Sequence, residues 1–264
     1  MKKNKLIICF RVDASFQIGT GHVMRCLALA CALREKKAKC HFICREHKGH
    51  LIDTILQYGF EVSSFGNSTN QNIANNKIKY ENLEYSEWLG SDWKTDANET
   101  ASVLRKLKPD WLITDHYSID SIWENSLKPY YNKLMVIDDL ANRSHVCDLL
   151  LDQNYGRNKS DYKPWVNQSC TQLYGPKHAL LMQEFSDLRK HSIERRKKST
   201  LKNILITMGG VDKDNAVCKV LEVLDSVELP KSSIITIVMG TNSLWIADVE
   251  KKANLLKYKT NIKI

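Results

Sequence analysis

The chain has 264 residues, enough for one large domain or two small ones. Hydrophobic residues make up 43% and charged residues 26%, ordinary values for a folded globular chain that argue against disorder. The 39 Lys and Arg exceed the 30 Asp and Glu, and the formal charge of +9 fits an anionic ligand or plain solubility.

In chain order, residues 6–12 read as a strand. Met1-Lys2-Lys3-Asn4-Lys5 leads into only five apolar residues, too short a run for a signal peptide. The expectation is a first buried strand in a cytoplasmic protein. Residues 19–34 open on glycines and continue as Val23, Cys26, Leu27, Ala30 and Leu33, which is helical spacing. Residues 38–44 read as a strand, 48–58 as a helix and 61–65 as a short strand. Residues 66–83 are polar, Asn-rich and loop-like. A helix over 92–107 closes before Pro109, and a strand follows at 111–114. A helix at 121–129, a strand at 133–137 and a strand within 145–151 complete the series. This β-α-β alternation implies a parallel sheet with helices on both faces. The basic run Arg189, Lys190, Arg195, Arg196, Lys197, Lys198, Lys202 lacks interleaved aromatics, so it reads as a solvated linker over 189–202 and not as a nucleic-acid patch. Alternation then restarts: strand 203–208, helix 215–224, strand 233–239, helix 243–255, and the start of a strand at 260–264. The domains expected are 1–188, the linker, and a partial nucleotide-binding domain over 203–264. A nucleotide-binding α/β domain usually has five or six strands, so the second one reads as truncated, pointing to a fragment of a longer protein.

The eight cysteines, Cys9, Cys26, Cys31, Cys40, Cys44, Cys147, Cys170 and Cys218, sit mostly in apolar runs and read as small buried hydrophobes. Cys40 and Cys44 lie near His41 and His47, but on a strand the period of two turns both cysteines away from His41. No membrane partner is expected, since no apolar run approaches the ~20 residues that span a bilayer, and no metal, cofactor or nucleic-acid partner is expected either.

The chemistry concentrates at strand ends. After the first strand, Arg11-Val12-Asp13-Ala14-Ser15 runs into Ile18-Gly19-Thr20-Gly21-His22-Val23-Met24-Arg25. Gly19 and Gly21 let the backbone turn tightly and approach a ligand. His22 and Arg25 then fall in the first turn of a helix, whose free N–H groups favour anions. A histidine there can act as general base. Thr114-Asp115-His116-Tyr117 delivers polar groups from a second strand, and Asp138-Asp139 from a third. The two tandem carboxylates can bind sugar hydroxyls, orient His22, hold a metal or cap a turn. Asp152-Gln153-Asn154-Tyr155-Gly156 reads as an interdomain loop. Met208-Gly209-Gly210-Val211-Asp212, with Asn215 beyond it, is a phosphate or uridine cradle, or a helix cap at Asp212 or Asn215. Which of Asp13, Asp115 and Asp139 orients His22 stays open.

Taken in order, these motifs, with Cys147-Asp148-Leu149-Leu150, resemble the hydrolases that remove UDP from a diacetamido trideoxy altropyranose in pseudaminic acid biosynthesis. The resemblance runs from about residue 5 to the end of the chain. It implies an α/β fold of two Rossmann-like domains of glycosyltransferase-B type with a cleft between them. It implies that water attacks the anomeric carbon with inversion, that the UDP-sugar and water are the partners, and that no metal is needed. His22 matches the catalytic base and Tyr117 a tyrosine near the sugar. Arg11, Asp13, Gly19, Gly21, Arg25, Asp115, Asp139 and Asn154 are the substrate-binding candidates. Gly209, Gly210, Asp212 and Asn215 are the nucleotide-binding candidates. A monomer is expected. The competing expectations are a UDP-sugar glycosyltransferase, or a non-catalytic remnant of the hydrolase.

Overall fold

The computed structural model describes residues 5–66, 85–197, 201–241 and 243–264. The loop expected over 66–83 lies almost wholly outside them. The chain divides into two compact units, Met1–Gln183 and Glu184–Ile264.

The first unit runs β1 (Ile7–Val12), α1 (Gly21–Glu35), β2 (Lys39–Arg45), α2 (Ile52–Gln57), β3 (Glu61–Phe65), α3 (Trp93–Leu107), β4 (Trp111–Asp115), α4 (Ser121–Leu127), β5 (Lys133–Ile137), β6 (Leu149–Asp152), α5 (Lys159–Tyr162) and β7 (Thr171–Tyr174). Its seven strands are all parallel, in the order β3-β2-β1-β4-β5-β6-β7. Period two along β1 buries both faces. Ile8, Phe10 and Val12 pack with Val23, Cys26 and Leu27 of α1, whereas Cys9 packs on the other side with Ala101 and Leu104 of α3 and Trp123 of α4. Helices therefore cover both faces, and the strands read as continuous apolar runs for that reason. The chain winds outward from β1 through β2 to β3, then returns to lay β4 on the other side of β1. In open α/β sheets that reversal leaves a crevice at the carboxyl ends of the two central strands.

Helix caps distinguish α1 from its neighbours. The Asp92 side chain accepts from the N–H groups of Lys94 and Thr95 at α3, and Asp120 does the same for Ile122 and Trp123 at α4. Thr20, at the start of α1, makes no such bond, so the first-turn N–H groups of α1 stay open.

Several expectations shift. The helix expected at 48–58 is only Ile52–Gln57. The strand expected within 145–151 starts at Leu149, because His145 instead bridges to Val166. The edge strand β7 and the short α5 were not anticipated; β7 is four residues with an exposed first position. The basic run expected as a linker is helical as far as Arg196, in α6 (Gln183–Arg196), and no residue of that helix is buried.

The second unit adds β8 (Asn203–Thr207), α7 (Ala216–Ser226), β9 (Ile234–Val238), α8 (Ile246–Leu255) and β10 (Lys259–Lys263), with a parallel sheet ordered β10-β9-β8. Ile206, Ile235 and Ile237 pack under Val217 and Leu221 of α7 and Val249 and Ala253 of α8. The opposite parity of β8 turns Leu205 outward, 64% exposed. The backbones after β8 and β9 touch: a Cβ on Gly240 would run into the Gly210 carbonyl.

Gly240→Ala is expected to lower the stability of the second unit by about 1–3 kcal/mol, the usual cost of overpacking. Gly21→Ala, where a Cβ meets nothing within 4 Å, is expected to leave stability intact. Urea unfolding of the two variants beside the parent checks both.

Candidate active site

At the end of β4 stands Asp115, 1% exposed. A bare carboxylate there would cost several kcal/mol, so donors must converge on it. They come from the first turn of α1. His22 Nδ1 lies 2.6 Å from Asp115 Oδ1. Arg25 forks onto the same group, Nε to Oδ2 at 2.5 Å and Nη2 to Oδ1 at 2.6 Å. The thiol of Cys26 points at Oδ2 from 3.6 Å. Burial alone would raise the Asp115 carboxyl, but His22 and Arg25 outweigh it and hold it well below the usual carboxylate range. The contact from Nδ1 to Asp115 fixes the ring and leaves Nε2 turned away from the carboxylate. Of the three carboxylates that sequence left open, Asp115 is the one that orients His22.

Arg25 also donates from Nη1 to Asp139 Oδ2 at 2.9 Å, which ties the end of β5 to the same cluster. Asp139 Oδ1 is buried, and the Tyr117 side chain interacts with the Asp139 carboxylate. Tyr117 packs edge-on to His22 with ring centroids 4.7 Å apart. Burial, with the Asp139 carboxylate adding to it, raises the Tyr117 phenol, which therefore stays a neutral donor. Gly19 adopts φ +82 in a turn closed by its N–H to the Ser15 carbonyl at 2.8 Å, and a Cβ on either Gly19 or Gly21 would meet open space. His22, Arg25, Asp115, Tyr117 and Asp139 thus converge, with Gly19 and Gly21 leading into them.

Arg11 and Asp13 are placed differently from expectation. Parity puts Arg11 on the α3 face of β1, where it pairs with Asp96 at 2.6 Å and Asp13 at 2.7 Å. Arg45 reaches the same Asp96 at 2.9 Å, and the Trp123 indole N–H donates to it at 3.0 Å. Asp13 also takes the Arg45 backbone N–H and faces His116 Nε2 at 3.2 Å. Arg11 is 0% exposed, so it has no surface to give a substrate; this network is the floor beneath the site. Asn154 is exposed beyond β6, its backbone N–H donating to Asp152.

In the second unit Gly209, at φ +77, and Gly210 form the turn after β8. Asp212 is buried and spends both carboxylate oxygens on the N–H groups of Ala216 and Val217, capping α7. Its expected nucleotide role is therefore taken by the cap. Asn215 starts that helix in the left-handed region without capping it.

Sequence reasoning missed Arg143. Its Nε donates to the Ile119 carbonyl at 2.8 Å and Nη2 to that of His116 at 3.2 Å, while Nη1 pairs with Asp138 at 2.7 Å. It thereby clamps the turn that carries Tyr117. An isolated arginine in a loop gives no periodic signal, and only its closeness to Asp138-Asp139 hinted at it. Among the described residues no group of three or more His, Cys, Asp or Glu is arranged to hold a metal, and no helix is long and apolar enough to cross a membrane.

The chain is 28% identical over 249 residues to the UDP-2,4-diacetamido-2,4,6-trideoxy-beta-L-altropyranose hydrolase of Campylobacter jejuni, covering 94% of this chain and 74% of that protein. The chain resembles that hydrolase along nearly its whole length. It is also 28% identical over 252 residues to an uncharacterized protein of Methanocaldococcus jannaschii, of which it spans 45%. No family model matches. Among solved structures, MurG of Acinetobacter baumannii aligns with TM-score 0.52 at 9% identity, over 98% of this chain and 67% of that one. The calicheamicin glycosyltransferase aligns with TM-score 0.50 at 12% identity, over 99% and 71%. The fold is Rossmann-like, of the glycosyltransferase-B type.

Asp115 fixes an acid limit. Its folded-state pKa is lowered, so its contribution to stability is full above the ordinary Asp value near 4 and is lost as pH falls below that. Wild-type stability is expected to drop more steeply than that of Asp115→Asn between about pH 5 and pH 2. Urea midpoints measured across that range decide it.

Proposed function

We propose that the chain hydrolyses a UDP-sugar, releasing UDP, with UDP-2,4-diacetamido-2,4,6-trideoxy-β-L-altropyranose as the substrate. The observation that carries this reading is the His22–Asp115–Arg25 cluster set beside the open N-terminus of α1, at the reversal point of the sheet. The resemblance to the Campylobacter hydrolase supports the choice of substrate.

On this reading His22 Nε2 takes a proton from water as the water oxygen bonds to the anomeric carbon. The bond from that carbon to the phosphate oxygen breaks, and UDP leaves with the electron pair. Attack from the face opposite the leaving group inverts the centre. Asp115 holds the imidazole in the required tautomer and offsets the charge it gains. UDP is already a good leaving group. The open N–H groups of α1 stabilise its growing charge without a cation. Asp139 and Tyr117 border the sugar.

UDP release from this substrate, with EDTA present, is the direct test. The parent is expected to release UDP, His22→Asn to release none, and Asp115→Asn to lose about 10³–10⁴-fold in kcat through the wrong tautomer. Loss of release in EDTA would sink the metal-free mechanism. Transfer of the sugar to an added hydroxyl acceptor in preference to water would make the chain a glycosyltransferase. No release, together with no UDP binding, would make it a non-catalytic remnant.

A further inference from the structure

Tyr117 does not stand alone beside His22. The Trp88 indole stacks on it with centroids 5.6 Å apart and planes 22° from parallel. Tyr85 packs against both rings, 5.1 Å from Tyr117 and 4.6 Å from Trp88. Tyr85 and Trp88 belong to a short 3-10 turn over residues 85–90, outside every motif that pointed to the site.

That turn is held in place from several sides. The Trp88 N–H donates to the Tyr85 carbonyl at 2.9 Å, and the Ser118 hydroxyl, one residue beyond Tyr117, donates to that same carbonyl. Leu89 is buried in the α3–α4 core with Ile119 and Trp123. Gly90 closes the turn at φ +67. Yet Tyr85, Trp88 and Tyr117 are each only part-buried. The backbone is pinned and a main-chain carbonyl is tied to the site loop, while an aromatic surface continuous with Tyr117 stays partly accessible.

We propose that Tyr85, Trp88 and Tyr117 form a sugar-recognition wall that stacks on the C–H face of the pyranose and favours sugars poor in hydroxyls, in particular a methyl in place of hydroxymethyl at C6. This rests on the UDP-sugar reading and adds Trp88 and Tyr85 as specificity-determining residues. The sugar is the right occupant, not the uracil. The wall begins within a ring's width of the base that must meet the anomeric carbon, whereas a ribose and two phosphates separate uracil from that carbon. An aromatic face gains by covering C–H groups. A hydroxyl pressed on it loses water and finds no partner. Such a wall discriminates against an added hydroxyl by at most about a hundredfold.

Calorimetry on the full 264-residue chain tests the wall without requiring turnover. The titrants are UDP, the diacetamido trideoxy UDP-sugar, and UDP-N-acetylglucosamine, which keeps its 6-hydroxyl. The proteins are His22→Asn alone and combined with Trp88→Ala or Trp88→Phe. Trp88→Ala is expected to weaken the deoxy sugar about tenfold, to leave UDP within twofold, and to shrink the preference for deoxy over hydroxy sugar. Trp88→Phe is expected to retain most of the preference, which separates a missing ring from a damaged fold. Equal weakening of UDP would show that the wall stacks uracil, and an unchanged preference would make it structural. A sugar that adds nothing to the binding of UDP would likewise overturn the wall. Failure of the parent to release UDP sinks the hydrolase reading only, because the binding comparison stands without it.

Discussion

Four neighbouring strands of the large sheet end in a buried carboxylate, and each carboxylate is met by its own arginine. Asp13 pairs with Arg11 at 2.7 Å, Asp115 with Arg25 at 2.5 Å, Asp138 with Arg143 at 2.7 Å and Asp152 with Arg157 at 2.9 Å. Helices cover both faces of a parallel sheet, so its carboxyl edge is the place where polar groups gather, and they do so away from water. A carboxylate left unpaired there would cost several kcal/mol, comparable with the whole stability of a domain. The arginines come from β1 itself, from α1, and from the loops after β5 and β6. Three of the pairs therefore fasten another segment to a strand end, whereas the Arg11–Asp13 pair stays within the end of β1. Breaking any one of these pairs would leave a charge buried without its partner.

One of the four pairs differs in what it leaves open. At Asp13 the His116 imidazole is engaged on both sides, with Nε2 toward the carboxylate and Nδ1 accepting the Ser118 N–H at 3.1 Å. At Asp115 the imidazole of His22 is engaged by the carboxylate through Nδ1 alone. Asp138 and Asp152 share the Tyr162 hydroxyl, 2.9 Å from each. The same electrostatic solution thus produces support at three strand ends and a candidate base at one.

The strand-end logic was legible in the sequence, and so was its limit. Apolar runs closed by Asp115 and by Asp138-Asp139, with His22 and Arg25 three apart on a helix start, were enough to assemble the cluster. The same logic overreached at Arg11 and Asp13. Their parity matches Cys9, which faces α3, and Asp96 on that helix carries no mark in sequence of being their partner. Asp212 was open between ligand and cap, and the cap won because α7 begins after a left-handed Asn215 that caps nothing. Arg143, Tyr85 and Trp88 lie in turns, where no periodicity announces which side chain points inward. Gly240 drew no notice because its requirement is a neighbouring backbone, Gly210, some thirty residues earlier in the chain.

Consecutive residues on a strand point to opposite sides, and the tandem pair after β5 uses this. Asp138 turns inward to Arg143 and Tyr162, and Asp139 turns to Arg25. One peptide unit therefore joins the clamp on the Tyr117 turn to the arginine that shares Asp115 with His22. Tyr117, Asp139, Arg25 and His22 arrive from β4, β5 and α1, yet none is free to move without breaking a buried charge pair or the turn that Arg143 holds. On the hydrolase reading this answers the hardest geometric demand of an inverting displacement: the base and the leaving-group donors must lie on opposite faces of one carbon. The open N–H groups of α1 point along its axis, while the His22 side chain leaves it sideways toward β4. A single helix start then supplies both, and Asp115 at the end of β4 holds the His22 ring in its place beside it.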